Sequence, residues 1–166
     1  TNLRFDRSDR LLTNTHQVLR LRQDEKVRLT YKGAARMDQP VSVREEIEFE
    51  VSDFEAARHF LLALGYEISI AYEKYRTTYE YQGAEIVIDE LPMGHFTEIE
   101  VEDVETIHTL SQTLGLKWEN RILESYLALF QRFNQKHQLN LTNLCFQEFE
   151  GLRVSAEDLD TVYADE

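Results

Sequence analysis

Apolar and charged residues alternate over several stretches of this chain, and two of them alternate around glutamate. In Phe96-Thr97-Glu98-Ile99-Glu100-Val101-Glu102 the carboxylates fall on one side of an extended strand, with Thr97, Ile99 and Val101 on the other. The segment 41–51 repeats the plan, with Val41, Val43, Ile47, Phe49 and Val51 on one face and Arg44, Glu46, Glu48 and Glu50 on the opposite one. Two runs, 18–22 and 26–32, alternate apolar residues with cations and read as a hairpin turning at Asp24-Glu25. Leu19, Leu21, Val27, Leu29 and Tyr31 form its apolar face; Arg20, Arg22, Lys26, Arg28 and Lys32 form its charged face. A short strand through Leu3 and Phe5 precedes it. A second hairpin is expected from Tyr72 to Tyr81, a turn at Gln82-Gly83, and Glu85 to Leu91, with Lys74, Arg76 and Thr78 on one face.

Helical spacing takes over between the strands. Phe54, Ala57, Phe60, Leu61 and Leu64 follow Ser52-Asp53-Phe54-Glu55, which reads as a capping box, and the pattern stops at Gly65. A second helix is expected over about 103–114, ending at Gly115, and a longer one over about 119–137 with Ile122, Leu123, Tyr126, Leu127, Phe130 and Phe133 inward. After His137 the chain is acidic and poorly periodic, which divides it into a domain at 1–137 and an appendage at 138–166. EEIEFEVSDFEAARHFLLALGYE and TEIEVEDVETIHTLSQTLGLK share an acidic strand, a capped helix and a Leu-Gly stop, the mark of two related halves that each lay a helix over a sheet.

Composition narrows the partners. With 31 acidic against 18 basic residues the net charge is -13, which speaks against a general nucleic-acid or anionic-membrane surface but leaves room for basic residues gathered in one cavity. The lone Cys145 rules out an internal disulfide and suits a reducing compartment. No apolar run reaches the length of a membrane span, and no signal peptide is seen, so a cytoplasmic protein is expected. The chain begins at Thr1 in what reads as mid-domain sequence, so residues preceding it are expected in the natural protein.

The charges are sorted by strand. Cations gather on 18–22, 26–32 and 74–76; carboxylates gather on 44–50 and 96–102, with Asp89 beside them. A solvated sheet face, the ordinary alternative, mixes signs. If the sheet closes into a barrel with helices over its apolar faces, the charged faces line a lumen, and their charges need mutual or ligand compensation. A polyphosphate with a divalent metal satisfies both sets, because Arg and Lys clamp phosphate oxygens while carboxylates hold Mg²⁺ or Mn²⁺. No Gly-rich phosphate loop, CxxC, HExxH or GxSxG occurs. The histidines are scattered, and His95 beside the acidic strand reads as a turn residue.

LRLR at 19–22, LTYKG at 29–33, REEIE at 44–48, EKYR at 73–76 and IVIDELPMGHFTEIE at 86–100 together resemble, in order, the CYTH family of triphosphate tunnel metalloenzymes. These include thiamine triphosphatases, inorganic triphosphatases and class IV adenylyl cyclases. The resemblance runs from about Asn2 to Tyr126, including Ser125-Tyr126. It implies an α+β fold: a closed antiparallel β-tunnel of about eight strands with helices packed outside. It implies that Arg20, Arg22, Lys32, Arg44, Lys74 and Arg76 bind substrate, that Glu46, Glu48, Asp89, Glu98 and Glu100 hold the metal, and that Lys74, Arg76, Glu98 and Glu100 are the catalytic group. Arg28 and Glu102 share the lumen parity without a family role. The family's N-terminal E-x-E-x-K strand is absent from these residues, and its spacing puts it upstream of Thr1; Met93-Gly94-His95-Phe96 stands where the family has Leu-Gly before the Phe. The implied activity is hydrolysis of a small triphosphate, tripolyphosphate or thiamine triphosphate, with Mg²⁺ or Mn²⁺. The alternatives are cyclisation of ATP to cyclic AMP and polyphosphate binding without chemistry. No nucleic-acid or membrane partner is expected, and the paired strands allow a homodimer.

Overall fold

A computed structural model describes residues 1–34 and 44–165. The loop expected at 34–40 and the start of the acidic strand, Val41 and Val43, lie largely or wholly outside the described residues. The chain divides into two compact units, Thr1–Glu73 and Lys74–Glu166.

The first unit carries β1 (Asn2–Asp6), α1 (Leu11–Asn14), β2 (Val18–Gln23), β3 (Val27–Lys32), β4 (Glu46–Glu50), α2 (Phe54–Ala63) and β5 (Glu67–Tyr72). Its five antiparallel strands lie in the order β4-β3-β2-β1-β5. The predicted hairpin is β2–β3, with Arg20 opposite Thr30 and Arg22 opposite Arg28. Side-chain alternation gives this sheet two unlike faces. Phe5, Leu21 and Leu61 form a buried cluster to which Leu3, Leu19, Val27, Leu29, Phe54 and Ala57 pack, so α2 covers the apolar face. The charged face is left on the other side. Asp53, not Ser52, caps α2: its side chain accepts from the Ala56 N–H at 2.8 Å. The cap thus sits one residue later than the Ser52 pattern implies. Gly65 ends the segment at φ +86°, a left-handed conformation that glycine enters without a Cβ penalty. β5 is a strand that the sequence reading did not separate. A single strand was expected through Tyr72–Tyr81, whereas the chain breaks at Glu73-Lys74 and the two sides belong to different sheets.

A short-range knot holds the β1–β2 connection. Asp6 is 3% exposed, and its carboxylate accepts from the N–H groups of Arg7 (2.8 Å), Leu12 (3.0 Å) and Thr13 (2.9 Å) and from the Thr13 hydroxyl. Burial alone raises a carboxyl's pKa; here these donors outweigh it and hold Asp6 below its ordinary range.

The second unit carries β6 (Tyr75–Tyr81), β7 (Ala84–Leu91), β8 (Gly94–Glu100), α3 (Val104–Thr113) and α4 (Tyr126–Lys136). Its sheet runs β6-β7-β8, all antiparallel. The turn at Gln82 (φ 52°) and Gly83 (φ 80°) is left-handed at both positions, as a two-residue hairpin requires. Ala84, Ile86 and Leu110, with Ile99 and Val101, bury one face under α3. The echo seen in the sequence is structural: each acidic strand leads into a ten-residue helix capped by an aspartate, Asp53 or Asp103, each accepting at 2.8 Å. Gly65 and Gly115 close the two helices.

The last predicted helix starts later than its apolar spacing suggested. Trp118–Asn120 is a single 3-10 turn, and α4 begins only at Tyr126, capped by the Ser125 hydroxyl. Ile122 and Leu123 lie outside it and are 37% and 53% exposed. Ser125 is the first good capping residue in the stretch, which fixes the start. The acidic C-terminal segment folds along α4: Leu144, Phe149 and Leu159 are buried, and the Phe133 and Phe149 rings stack at 5.7 Å. Arg132 donates to the Leu159 carbonyl at 2.9 Å and Lys136 to Asp160 at 2.6 Å. No helix among the described residues is long and apolar enough to cross a membrane.

Candidate active site

In each unit, the face turned away from the covering helix gathers the predicted site residues. In the first unit the register sets Arg4, Arg20, Thr30 and Glu48 in a row across β1, β2, β3 and β4. Arg20 donates to Glu48 Oε2 at 3.2 Å and to the Thr30 hydroxyl at 3.2 Å, while the Thr30 hydroxyl donates to the same carboxylate at 2.7 Å. Thr30 is fully buried, so this carboxylate is anchored from below. Glu48 also has Arg22 and Arg28 at 3.8 Å each, and its pKa is lowered: burial raises it, but the Thr30 bond and the three guanidinium charges prevail. Lys32 pairs with Glu46 at 2.7 Å. Arg20 is raised, since the Tyr72 hydroxyl and the Glu48 and Glu46 charges overcome its burial. Arg22 is lowered by burial and by Arg20. Arg44 is half-buried just before β4, and its charge reaches Arg4. Cations outnumber carboxylates on this face.

In the second unit the balance reverses. Asp89, in the second half of β7, is fully buried. Arg76 grips it with both arms, Nε to Oδ1 at 2.8 Å and Nη2 to Oδ2 at 2.7 Å, the bidentate geometry that makes Arg–carboxylate pairs strong. The same guanidinium reaches Glu98 at 2.7 Å and Glu100 at 3.2 Å. Lys74 adds a 2.6 Å bond to Asp89 Oδ2. Burial raises Asp89 and Glu98, yet both are lowered: Asp89 by its bonds to Arg76 and Lys74, Glu98 by a bond to Tyr126 and by the Lys74 and Arg76 charges. Arg76 is raised well above its usual value by the same partners, while burial pulls Lys74 down. Asp89, Glu98 and Glu100 are carboxylates drawn to one cationic centre, and this donor chemistry fits a hard divalent ion. A guanidinium now stands at their focus, and no three acidic, histidine or cysteine side chains among the described residues are grouped as a metal cage by themselves.

Two side chains outside the expected set belong here. Arg4 lies on the charged face opposite Arg20; its alternation with Leu3 and Phe5 was the available signal. Tyr126, the first residue of α4, donates to Asp89 at 3.1 Å, packs its ring against Phe96 at 4.9 Å and lies 5.4 Å beneath the Lys74 ammonium. Burial together with Glu98 and Asp89 raises its hydroxyl's pKa and keeps it a donor. His95 sits on a 73% exposed side chain 3.8 Å from Glu90, at the turn. Cys145 is in no disulfide among the described residues and is remote in sequence from these residues.

Known proteins resemble this chain in sequence and fold. A Methanocaldococcus jannaschii protein named "Putative adenylate cyclase" is 31% identical over 136 residues, 75% of this chain and 77% of its own. A solved Pyrococcus horikoshii structure, of the protein PH1819, superposes with a TM-score of 0.66 at 28% identity, over 78% of this chain and 81% of that one. A Hippeastrum structure described as a "Putative adenylyl cyclase" with a dominant triphosphatase activity shares the fold, with a TM-score of 0.55 at 18% identity over 78% and 80% of the two chains. Residues 1–126 match the CYTH domain, and this chain belongs to the CYTH family.

Proposed function

We propose that this chain hydrolyses the terminal phosphoanhydride of a small triphosphate, with tripolyphosphate or thiamine triphosphate as the first substrates. The observation that carries the reading is the division of charge between two polar faces. Five cations of the first unit, Arg4, Arg20, Arg22, Arg28 and Lys32, share three carboxylates, Asp24, Glu46 and Glu48, whereas in the second unit three carboxylates, Asp89, Glu98 and Glu100, share two cations, Lys74 and Arg76. Arg20, Arg22, Lys32 and Arg44 bind the phosphate chain. Lys74 and Arg76 exchange their carboxylate partners for phosphate oxygens and stabilise charge that grows there as the anhydride breaks. Asp89, Glu98 and Glu100, with Glu46 and Glu48, are the carboxylates that would hold Mg²⁺ or Mn²⁺. The bound ion would offset phosphate charge and lower the pKa of a coordinated water. Closure of the antiparallel sheets into a β-tunnel is part of this proposal.

Cyclisation of ATP is the second reading, favoured by the name of the M. jannaschii relative. It calls for a seat for base and ribose in addition to the phosphate clamp. Incubation with ATP and product analysis separates the two: orthophosphate marks hydrolysis, while pyrophosphate with cyclic AMP marks cyclisation and would overturn the first reading. Glu98→Gln or Glu100→Gln should abolish metal-dependent turnover; near-normal rates in both would remove these residues from the site.

A further inference from the structure

On the charged face of the first sheet, arginine stands opposite arginine. Arg4 on β1 is registered with Arg20 on β2, and two positions along, Arg22 on β2 is registered with Arg28 on β3. Directly opposed like charges destabilise an antiparallel pair, and the repulsion grows as side chains leave water. These are withdrawn: the side chains of Arg20 and Arg22 are 11% and 18% exposed. Local carboxylates balance the group only in part: Asp24 pairs with Arg22 at 3.2 Å and with Arg28 at 3.1 Å, which leaves Arg4 and Arg20 with the least compensation. Asp6, two residues from Arg4, has its oxygens occupied by the Arg7, Leu12 and Thr13 donors. Glu48 is closest to Arg20, at 3.2 Å, and more distant from Arg22 and Arg28. The hydrogen bond from Arg4 to the Gln17 carbonyl is long, 3.5 Å.

Donors are also left over. Among the described residues, the buried Nε groups of Arg20 and Arg22 have no hydrogen-bond acceptor; that of Arg22 lies 3.2 Å from Asp24 as an ion pair but out of line for a bond. A buried charged donor without an acceptor is costly to the fold and is unusual among native side chains. Opposed charge and unused donors on one face together describe a site completed by an anion.

We propose that Arg4 is a ligand-binding residue which, with Arg20 and Arg22, receives a condensed phosphate chain, and that the ligand-free protein carries a repulsion this anion relieves. The inference rests on the triphosphate reading given above and adds to it a residue on β1. It has a signature that a structural arginine lacks: removing the charge helps the free chain and harms the complex.

The experiment compares wild type, Arg4→Gln and Arg4→Lys in phosphate-free buffer, with melting temperatures measured alone and tripolyphosphate affinity measured by calorimetry. Arg4→Gln should melt at or above wild type and bind tripolyphosphate about tenfold more weakly, the loss expected for a hydrogen bond to a charged group. Arg4→Lys keeps the charge and should restore most of the affinity. Wild-type affinity in Arg4→Gln overturns the inference and leaves the triphosphate reading standing. A chain that loses stability as well as affinity, or does not fold, overturns it too, because Arg4 would then be structural. A wild type that ignores tripolyphosphate overturns the site reading and this inference with it.

Discussion

Replacing Arg76 by alanine separates what this side chain does for stability from what it does for the ligand. Its guanidinium makes a bidentate contact with fully buried Asp89 and single contacts with Glu98 and Glu100. Breaking a buried ion pair from one side costs about 3–5 kcal/mol, because the remaining charge is left unpaired. Two features place Arg76→Ala at the low end, about 3 kcal/mol by the same scale: Lys74 remains 2.6 Å from Asp89, and the Arg76 side chain is 28% exposed. At about 2–4 °C per kcal/mol for a chain of this size, the melting temperature should fall by about 6–12 °C. The three carboxylates would then lack their guanidinium, so Mg²⁺ or Mn²⁺ should raise the melting temperature of the variant more than that of wild type. Thermal unfolding followed by circular dichroism, with metal or chelator and without phosphate, measures both. A variant that melts with wild type, or that metal stabilises no more than it stabilises wild type, would refute the claim that Arg76 stands at the focus of a cation site.

Other perturbations test other parts. Asp6→Asn should cost about 2–3 kcal/mol, since an amide cannot accept from all the donors around it and loses the charge they stabilise. Because the folded-state pKa of Asp6 is depressed, its contribution is complete above the unfolded carboxyl's pKa and disappears as pH falls through the folded value. The stability gap between wild type and Asp6→Asn should therefore hold steady from neutral pH to about pH 5 and narrow below about pH 4; urea unfolding at several pH values reads it, and a gap independent of acid would dismiss the assignment. Tyr126→Phe keeps the ring on Phe96 but removes the 3.1 Å bond to Asp89, and should lower stability by about 1.5–3 kcal/mol, a loss that denaturant titration would detect. Arg20→Ala should weaken tripolyphosphate binding at least tenfold, and calorimetry showing unchanged affinity would remove it from the clamp.

Strand alternation made much of this legible from the residues alone. The β2–β3 hairpin, both acidic strands, the turn at Gln82-Gly83 and the aspartate-capped helices that follow Glu50 and Glu100 all have signals within a few residues. What depends on register did not. Nothing in the spacing says that Arg76 reaches Asp89, Glu98 and Glu100 together, or that Thr30 lies under Glu48, because cross-strand neighbours are set by how the strands align. Arg4 follows the same rule: its place opposite Arg20 is set by the pairing of β1 with β2 and not by its spacing in the chain. The start of α4 was misplaced because Ile122 and Leu123 fit helical spacing, and periodicity cannot tell an exposed connector from a helix when a strong cap stands three residues further on. The C-terminal segment looked aperiodic because Leu144, Phe149 and Leu159 bury as isolated anchors along α4 rather than as a stripe.

The most direct test of the central claim is phosphate release by the full-length protein from tripolyphosphate, thiamine triphosphate and ATP, each with Mg²⁺, Mn²⁺ or chelator. Orthophosphate released from tripolyphosphate or thiamine triphosphate, abolished by chelator, is the predicted result. Absence of metal-dependent orthophosphate from every substrate would contradict the account.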